Sequence, residues 1–460
     1  RPDAIALLAP DQTMTYGALR VRIIRYALHM RLRGIGRRSL VALDANRMPE
    51  GPALALALAL LGARWVEMKP TINPVALGVT HALSVNSAGG PNSYLVDARW
   101  TEHPAGLSPG EPIGFEGFES ENDVAFYVES SGTTGRPKLI ERSYGYTHAS
   151  IERMRQAGLA RVYVRFPPLS SAGLHFRIAA LIEGATVIVR NSNFQDLLGD
   201  KVDMVLASPA QVDAMLEGAT PGAVRVPRLL AWGAQMPPRL VRHWLQYFAE
   251  VELGYGSREA SAVGRMKVRE MPDDAVVEYA LAPGAQVEIV DDAGRRCPAN
   301  AVGTVRIRTT QQASGYVGAP DASEKAFRDG WFYPGDLGLL TSDGKLRIQG
   351  RIADQFNFGG VKANAGDIDE TAMHAPGVKR AVSFAQPNER GVDELGVAVV
   401  IAADVPPATA AQAIRQACQT ILGVALVPKA IYVVESLPLN ESGKEARAAM
   451  RELCAGRPRY

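Results

Sequence analysis

The feature that most constrains the fold of this 460-residue chain is the alternation of short apolar runs with segments of helical character. The strand-like runs are DVAFYV (123–128), ATVIVR (185–190), DMVLAS (203–208), RLLAWG (228–233) and VELGYG (251–256). Such alternation predicts mostly parallel sheets covered by helices, which is an α/β architecture. In folds of this kind, ligands bind at the carboxyl ends of the strands.

The pattern changes near residue 285. Apolar and polar residues alternate with a period of two in AQVEIVDDAGRRC (285–297) and GTVRIRT (303–309), and LLTSDGKLRIQG (339–350) contains a Ser-Asp-Gly turn. These segments predict antiparallel hairpins and hence a β-rich subdomain. Farther on, a helix-like stretch (408–422) and a strand-like stretch (429–435) predict a smaller α+β unit. The fold is therefore expected to be α/β in its larger part and α+β overall.

Composition argues against several classes of function. Lysine plus arginine number 50 and aspartate plus glutamate 48, so neither nucleic acid nor an anionic membrane is the expected partner. Cys297, Cys418 and Cys454 form no CxxC pair, which predicts neither a disulfide framework nor a zinc site and suits a cytoplasmic protein. The longest apolar run, residues 51–66, is shorter than the ~20 residues of a membrane-spanning helix, so we expect a buried helix and no membrane insertion. No signal peptide opens the chain, which begins at Arg1 without Met, and we expect further residues upstream.

A stretch rich in hydroxyl groups and glycines, YVESSGTTGRPKLIERS (127–143), follows the first strand-like run. A loop of this composition can turn backbone amides and hydroxyls toward one point, and phosphate oxygens bind in such a nest. Lys138 adds a positive charge, although the spacing is not that of a Walker A loop. On composition alone, a solvated turn explains the stretch at least as well as a phosphate site.

The spelling of this loop, SSGTTGRPK (130–138), resembles the phosphate-binding signature of the adenylate-forming superfamily, which includes acyl-CoA synthetases, peptide-synthetase adenylation domains and luciferases. Further segments resemble motifs of the same family, in the family's order: TMTYGAL (13–19), LLGARWVEMKPTINP (60–74), GYGSRE (254–259), GWFYPGDLG (330–338), GRIADQFNFGGVKANAGDIDE (350–370) and LPLNESGKEAR (437–447). Because the matches are ordered and span nearly the whole chain, coincidence does not explain them.

The resemblance implies a large N-terminal adenylating domain (1–350), which binds ATP and the acid, and a small mobile C-terminal domain (351–460). It implies a ligase that activates a carboxylic acid as an acyl adenylate, releases pyrophosphate and passes the acyl group to a thiol. A carboxylate is a poor electrophile, and its attack on ATP brings two anions together. The site must therefore supply positive charge and orientation.

The resemblance also implies a role for each residue that matches a motif. The phosphates of ATP would bind to Ser131, Gly132, Thr133, Thr134, Gly135 and Lys138. Glu259 would be catalytic as a ligand of Mg²⁺, a hard cation that prefers oxygen. The rest of the nucleotide would bind to Gly233, Ala234, Gln235, Tyr255, Gly256, Ser257, Asp336 and Arg351. Among these, Tyr255 would lie against the adenine and Asp336 would accept hydrogen bonds from the ribose.

A second catalytic residue, Lys444, would reach in from the small domain and bridge the substrate carboxylate and the α-phosphate. In the family, rotation about a hinge then withdraws this lysine so that the thiol can enter. The resemblance places the hinge at Ala353 and the thiol tunnel beside Gly359 and Gly360, because glycines permit close approach of a pantetheine arm.

The chain departs from the family pattern at several positions. Arg258 and Pro334 stand where threonines are usual, Ala353 where a charged residue is usual, and Asn357 where many members have lysine. These departures favour an alternative, a catalytically impaired nucleotide-binding or regulatory member of the same fold. The retained charged residues argue against that alternative: Lys138, Glu259, Asp336 and Lys444.

The acid is expected to lack an α-amino group, because VRFPPLSSAGLHF (164–176) contains no acidic residue that would hold an ammonium. PKLIERS (137–143), LSSAG (169–173) and DQFNFGGVK (354–362) resemble aryl-acid adenylating enzymes of siderophore assembly, although Phe166 replaces their asparagine.

We predict an apolar acid pocket, with Gly256 leaving its floor open, for an aromatic or medium-chain acyl (fatty) acid. The pocket residues would be Phe166, Ser171, Gly173 and Trp232. Core packing explains Phe166 and Trp232 almost equally well.

The thiol acceptor stays open between coenzyme A and the phosphopantetheine of a separate carrier protein. Arg161 and Arg165 would meet the nucleotide phosphates of coenzyme A, or else they are ordinary solvated surface residues.

Overall fold

The computed structural model describes residues 1–9, 13–105, 114–130, 137–156, 158–190, 192–233, 236–358, 361–388, 393–438 and 446–460. Every structural statement below concerns these ranges. Ten of the predicted site residues lie outside them: Ser131, Gly132, Thr133, Thr134, Gly135, Ala234, Gln235, Gly359, Gly360 and Lys444.

The helices of the described ranges are α1 (Tyr16–Arg31), α2 (Glu50–Leu60), α3 (Pro74–Leu77), α4 (Tyr144–Met154), α5 (Ser171–Ile182), α6 (Phe194–Gly199), α7 (Pro209–Leu216), α8 (Pro238–Trp244), α9 (Pro320–Ala326), α10 (Ala365–Met373), α11 (Pro407–Ile421) and α12 (Met450–Cys454). Short 3₁₀ helices cover Ala98–Thr101, Ile352–Asp354, Val424–Leu426 and Arg447–Ala449.

The strands are β1 (Ile5–Leu8), β2 (Thr13–Thr15), β3 (Leu40–Asp44), β4 (Arg64–Glu67), β5 (His81–Ser84), β6 (Ser93–Leu95), β7 (Val124–Ser130), β8 (Lys138–Ser143), β9 (Arg161–Val164), β10 (Thr186–Ile188), β11 (Met204–Ala207), β12 (Val226–Trp232), β13 (Phe248–Ser257), β14 (Ser261–Val268), β15 (Ala280–Leu281), β16 (Gln286–Val290), β17 (Gly303–Arg308), β18 (Phe327–Arg328), β19 (Trp331–Phe332), β20 (Asp336–Leu340), β21 (Leu346–Arg351), β22 (Gln355–Phe358), β23 (Val361–Asn364), β24 (Val378–Pro387), β25 (Asp393–Ile401) and β26 (Ala430–Val433).

Two large sheets with parallel centres form most of the N-terminal part, as the strand and helix alternation predicts. One sheet has the order β15-β14-β13-β12-β11-β9-β10-β1-β2, and the other has the order β6-β5-β3-β4-β7-β8. The central pairs of each sheet are parallel, whereas β13 with β14 and β7 with β8 are antiparallel. All five strand-like runs of the sequence are strands here.

Helices α1, α2 and α5 pack with both large sheets into one continuous hydrophobic core. The apolar run 51–66 supplies most of α2 and part of β4, and Leu54 and Leu58 are completely buried. Burial of a leucine side chain stabilises the fold by about 2 kcal/mol, so this run is core, as predicted. Within the described ranges, every helix is too short or too polar to cross a membrane.

The β-rich subdomain follows as an antiparallel sheet of order β18-β19-β17-β20-β21, with β16 paired to β17. The β16–β17 and β20–β21 pairs are the hairpins that the period-two segments predict. Its inner face joins the core of the larger sheet through Val305, Ile307 and Phe332. The subdomain therefore continues the N-terminal core.

The small C-terminal part has its own cores. Strands β24, β25 and β26 form one sheet, with α10 and α11 against one face. Val382, Tyr432 and Met450 belong to a second cluster, to which α12 contributes. These clusters draw on residues from Phe356 onward, so the C-terminal residues bury apolar side chains among themselves.

Candidate active site

A cavity of about 1000 Å³ lies where strands of both large sheets reach their carboxyl ends. Glu129 and Ser130 at the end of β7, Trp232 at the end of β12, and Gly256 and Ser257 at the end of β13 all line it. This position agrees with the rule that ligands of α/β sheets gather at the carboxyl ends of their strands. The cavity brings together predicted nucleotide and acid residues that are far apart in the sequence.

Asp336 lies at the centre of a buried polar triad. It is 4 % exposed, and Arg351 Nε lies 2.6 Å from its Oδ1 while Tyr255 donates its hydroxyl to Oδ2 at 2.5 Å. Arg351 faces Asp336 across the β20–β21 hairpin and also donates to the Pro334 carbonyl at 3.2 Å. Burial raises the pKa of Tyr255, and the negative charge of Asp336 raises it further, so the tyrosine stays a donor. Asp336 and Arg351, which the sequence analysis both assigns to the nucleotide, are therefore in contact, and Tyr255 is held against Asp336.

Glu259 and Lys138 meet around Tyr316. The Glu259 carboxylate is buried and accepts a hydrogen bond from the Tyr316 hydroxyl at 3.1 Å through Oε1. Lys138 Nζ lies 4.8 Å from the centre of the Tyr316 ring, a cation–π distance. All three residues line the cavity. A carboxylate and an ammonium group therefore stand on one wall, as a site for phosphates and a divalent cation requires.

The departure at Arg258 has a structural explanation. Its Nη1 donates a hydrogen bond to the carbonyl of Glu129, the penultimate residue of β7. The Glu129 carboxylate in turn accepts from the Thr71 hydroxyl and lies 3.4 Å from Lys69 Nζ. The pKa of nearby Glu67 is raised, because burial outweighs the opposing effect of the Lys69 and Arg258 charges. Arg258 thus fixes the strand end that precedes the predicted phosphate loop.

Gly256 and Gly233 border the cavity for different reasons. A Cβ on Gly256 would lie 2.2 Å from the Ser261 carbonyl oxygen, across the irregular β13–β14 register, so the hairpin itself requires glycine here. Gly233 has a positive φ of 105° at the end of β12, which favours glycine. Ser257 accepts a hydrogen bond from the Ala260 amide. The backbone of the β13–β14 hairpin therefore requires glycine at position 256, independently of any requirement set by the acid.

Phe166, Ser171 and Trp232, which the sequence analysis assigns to the acid pocket as a prediction, form part of the cavity wall. The Trp232 ring lies over Gly254 of the neighbouring strand so closely that a Cβ there would be 2.0 Å from ring atom Cε2. Gly173, in contrast, is buried against the Pro167 carbonyl and does not line the cavity. Its role is close packing at the start of α5, not contact with an acid.

Three residues that the sequence analysis missed also line the cavity: Tyr146, Arg153 and Arg265. Tyr146 and Arg153 are seven residues apart on α4 and therefore share a helix face. Tyr146 lies 3.2 Å from the Ser171 hydroxyl, and the ring of the fully buried His175 packs beside it at a centroid distance of 5.8 Å. The i, i+7 spacing was the signal that could have identified the first two.

The hinge prediction at Ala353 falls in the exposed 3₁₀ turn Ile352–Asp354, directly after β21. Arg161 donates to the Asp200 carbonyl at 2.6 Å, and Arg165 donates to the Tyr163 hydroxyl at 3.2 Å. Neither arginine lines the cavity. These contacts leave the suggested role of both in binding coenzyme A without support.

An ion pair between the partly exposed Arg447 and the buried Asp369 anchors the chain shortly after Lys444. Arg447 Nη2 lies 2.6 Å from Asp369 Oδ2, and its Nη1 donates to the Ser383 carbonyl. Asp369 on α10 is 9 % exposed; burial raises its pKa, and the Arg447 charge opposes that rise.

Among the described residues, no group of three or more His, Cys, Asp or Glu could hold a metal ion.

A large α/β lobe with a cavity at its strand ends, followed by a small α+β unit, is the fold of the adenylate-forming enzymes. The AMP-binding enzyme family model matches residues 1–84 and 95–317, and the model of the AMP-binding enzyme C-terminal domain matches residues 367–444. The chain belongs to the AMP-binding enzyme family. It is an ATP-dependent ligase that joins a carboxylic acid to a thiol through an acyl adenylate.

Relatives and solved structures cover almost the whole chain. A 3-hydroxybenzoate–CoA ligase of Aromatoleum is 27 % identical over 99 % of this chain and 94 % of its own length. A fatty acid–[acyl-carrier-protein] ligase of Mycobacterium marinum is 25 % identical over 98 % of this chain and 94 % of its own. The O-succinylbenzoate coenzyme A synthetase of Bacillus subtilis, solved with AMP, has a TM-score of 0.83 and 21 % identity over 100 % of this chain and 97 % of its own. The same synthetase is also known in complex with ATP and a magnesium ion.

Proposed function

We propose that this ligase activates an aromatic carboxylic acid. The observation that carries the proposal is the wall of the cavity, where Phe166 and Trp232 give flat apolar surface beside the predicted nucleotide residues. The similarity to a 3-hydroxybenzoate–CoA ligase supports the same class of acid. The absence of an acidic residue in 164–176 argues against an α-amino acid.

Asp336, Arg351 and Tyr255 hold the ribose end of the nucleotide in this proposal. The Asp336 carboxylate is already fixed by two hydrogen-bonding partners, so it needs little reorganisation to accept the ribose hydroxyls. Gly233 and Gly256 border the adenine, together with Ala234, Gln235 and Ser257. Tyr255 supports this site through its hydroxyl and contacts the adenine with its ring.

The phosphates bind between the loop 131–135 and Lys138. Glu259 is suited to bind magnesium because it is a buried carboxylate that faces the cavity. Among the described residues, only its Oε1 accepts a hydrogen bond, from the Tyr316 hydroxyl. Magnesium neutralises phosphate charge when it is bound. Lys138 contributes a further positive charge, and Arg258 holds the strand end from which the loop departs.

The substrate carboxylate attacks the α-phosphorus, the bond to the β-phosphate oxygen breaks, and pyrophosphate leaves. Lys444 bridges the carboxylate and the α-phosphate and offsets their repulsion. The thiol sulfur then attacks the acyl carbon, AMP departs, and the thiol proton is released. Both steps balance without an oxidant or a reductant.

We place the domain boundary at 350/351, because the C-terminal hydrophobic clusters draw on residues from Phe356 onward. The small domain carries Lys444 for the first step and presents Gly359 and Gly360 to the thiol for the second, with Ala353 at the hinge. Coenzyme A and a carrier-protein phosphopantetheine both fit as acceptors, and a cytoplasmic location suits the unpaired cysteines. The similarity to a 3-hydroxybenzoate–CoA ligase supports an active enzyme over the catalytically impaired alternative.

Acid-dependent exchange of labelled pyrophosphate into ATP tests the proposal. We expect exchange with benzoate and hydroxybenzoates that exceeds exchange with amino acids and medium-chain fatty acids. Mass spectrometry of the product with coenzyme A or a carrier protein then identifies the acceptor. Preferred exchange with a fatty acid would contradict the aromatic substrate, and no exchange with any acid would contradict the proposal as a whole.

A further inference from the structure

Arg153 is a half-buried arginine whose guanidinium is only partly satisfied within the protein. It lies on the cavity face of α4, and its Nη2 donates to the Gln311 side chain and, at 2.9 Å, to the Ser261 hydroxyl. Nε and Nη1 have no hydrogen-bond partner among the described residues. Neither of these atoms is among the fully buried ones, so both are accessible. Three N–H donors of one cation therefore remain available at the cavity wall.

No carboxylate of the described ranges forms an ion pair with Arg153. The neighbouring arginine, Arg265, differs because its Nη1 lies 3.0 Å from Glu252 Oε1. The carboxylates of Glu129 and Glu259 also line the cavity, but their contacts are with Lys69 and Tyr316. Burial and the charge of Arg265 lower the pKa of Arg153, yet a guanidinium keeps its proton at neutral pH.

Further positive charge lies behind the same wall. Arg142 is 2 % exposed, its guanidinium stacks on the Tyr146 ring at 4.2 Å, and its Nε and Nη2 have no hydrogen-bond partner within the described ranges. His175 beside it stays neutral, because burial and the two arginines lower its pKa to about 3. The Glu259 carboxylate offsets part of the Arg142 charge. A positive charge in a site of low polarity attracts an anion more strongly than it would in water.

The place of Arg153 relative to the nucleotide residues follows from its contact with Ser261. Ser261 faces Ser257 across the β13–β14 hairpin, and Gly256 faces Ala262. Apolar wall residues, among them Phe166 and Trp232, line the same cavity. A ring that lies on this wall can direct one substituent toward the nucleotide and another toward α4.

We propose that the aromatic acid carries a second anionic group, a carboxylate remote from the one that is activated, and that Arg153 binds it. This inference rests on the proposed aromatic substrate and names its class more narrowly: a benzene dicarboxylate or a close analogue. Nη1 can donate to this carboxylate through its two N–H groups, whereas both forked donor pairs of a guanidinium include Nη2, which already donates to Gln311 and Ser261. Arg265 and Arg142 add positive potential without making the contact.

Acid-dependent pyrophosphate exchange with matched acids provides the test. The probes are benzene-1,3-dicarboxylate, benzene-1,4-dicarboxylate, the monomethyl ester of each, and benzoate. We expect kcat/KM for one dicarboxylate to exceed that of its own monomethyl ester at least about 10-fold in the wild-type protein, since a hydrogen bond to a charged group is lost in the ester.

Arg153→Gln and Arg153→Met should lower this ratio about 10- to 100-fold, and Arg153→Lys should retain part of it. The matched control is Arg155→Gln, which removes an exposed arginine paired with Glu152 and Glu183 and should leave the ratio unchanged. Because the ratio compares two acids on the same variant, partial loss of folded protein does not affect it.

A wild-type protein that uses the monomethyl esters as well as the dicarboxylates would overturn the inference, as would an unchanged ratio in Arg153→Gln and Arg153→Met. In both cases exchange with benzoate or an ester would leave the proposed function standing. Absence of exchange with every aromatic acid would overturn the proposed function too, so the two failures are distinguishable.

Discussion

His175 shows how the interior of the large domain treats a single titratable residue. It is 0 % exposed on α5, neither ring nitrogen has a hydrogen-bond partner among the residues that the structure describes, and its aromatic neighbours are Phe126 and Tyr146. Burial, together with the charges of Arg142 and Arg153, lowers its pKa to about 3. The unfolded chain therefore binds a proton at this position at a pH where the folded chain does not.

This difference predicts a pH dependence of stability. Since the folded pKa lies below the unfolded value of 6.5, the contribution of His175 is complete above pH 6.5 and is lost progressively as the pH falls toward 3. Between pH 7 and pH 5 the loss should be about 2 kcal/mol. His175→Leu should remove that part of the pH dependence, as measured by guanidinium unfolding followed by tryptophan fluorescence.

His148→Leu is the control, because this histidine is exposed on α4 and its removal should leave the dependence unchanged. Equal pH dependence in the wild type and in His175→Leu would show that the imidazole titrates normally in the folded protein.

Single residues also show where sequence reasoning stops. Asp336 and Arg351 were assigned to the nucleotide from their places in two motifs, and the structure adds their direct contact and the Tyr255 hydroxyl that closes the triad. The proposed role of Arg153 in binding a carboxylate could not be predicted from the sequence. It depends on the lack of an ion-pair partner among the described residues, which only the folded chain determines. Gly173 directly follows residues that line the cavity, but it packs against the Pro167 carbonyl and does not line the cavity itself.

At the scale of elements, the segment 446–449 after Lys444 is held by one side chain. Arg447 reaches Asp369 on α10 and Ser383 on β24, and its Nε lies 3.7 Å from Asp354 beside the proposed hinge. This cation therefore links the end of the lysine segment to the helix, the sheet and the hinge. Arg447 and Asp369 both belong to the small domain, whose hydrophobic cores contain few residues. The ion pair therefore contributes a larger share of the stability of this domain.

Arg447→Met should destabilise the C-terminal domain by about 3 kcal/mol, because it leaves the buried Asp369 without a cation. Protonation of Asp369, whose pKa is already raised by burial, limits the loss. The measurement is thermal unfolding, read on the transition of the small domain. Asp369→Asn added to Arg447→Met should restore part of the stability.

The matched variant Arg451→Met removes an exposed arginine of α12, 3.9 Å from Asp393, and should change stability by less than ~0.5 kcal/mol. A shift of the same size in both variants would contradict the anchoring role of Arg447.

Elements were predictable where local pattern decides, and less so where partners do. The parallel strands read directly from apolar runs, and the hairpins from period-two alternation. Strand β8 begins at Lys138, inside a stretch whose composition suits a loop, because its antiparallel pairing with β7 overrides local preference. Long-range pairing of this kind leaves no periodic signal in a short segment.

At the scale of the whole molecule, the two halves of the reaction depend on different parts of the chain. In the proposed mechanism Lys444 serves the first half and is withdrawn for the second, so its loss should separate them. We expect Lys444→Ala to slow acid-dependent pyrophosphate exchange about 10²- to 10³-fold, the scale of one lost electrostatic donor. Transfer from a synthetic acyl adenylate to the thiol should stay within a few-fold of wild type.

Lys429→Ala, an exposed lysine before β26, is the control and should affect neither half. Exchange that survives Lys444→Ala, or an equal fall in both halves, would remove this lysine from the proposed role.

The packing of Trp232 on Gly254 bears on how such a ligase could acquire a new substrate. Any side chain added at 254 would collide with the indole, while a smaller residue at 232 leaves room for one. The two positions must therefore change in a fixed order, the tryptophan first. Evolution or engineering of a reshaped pocket faces a one-way route here, and libraries that randomise position 254 alone should return only glycine among their folded, active members.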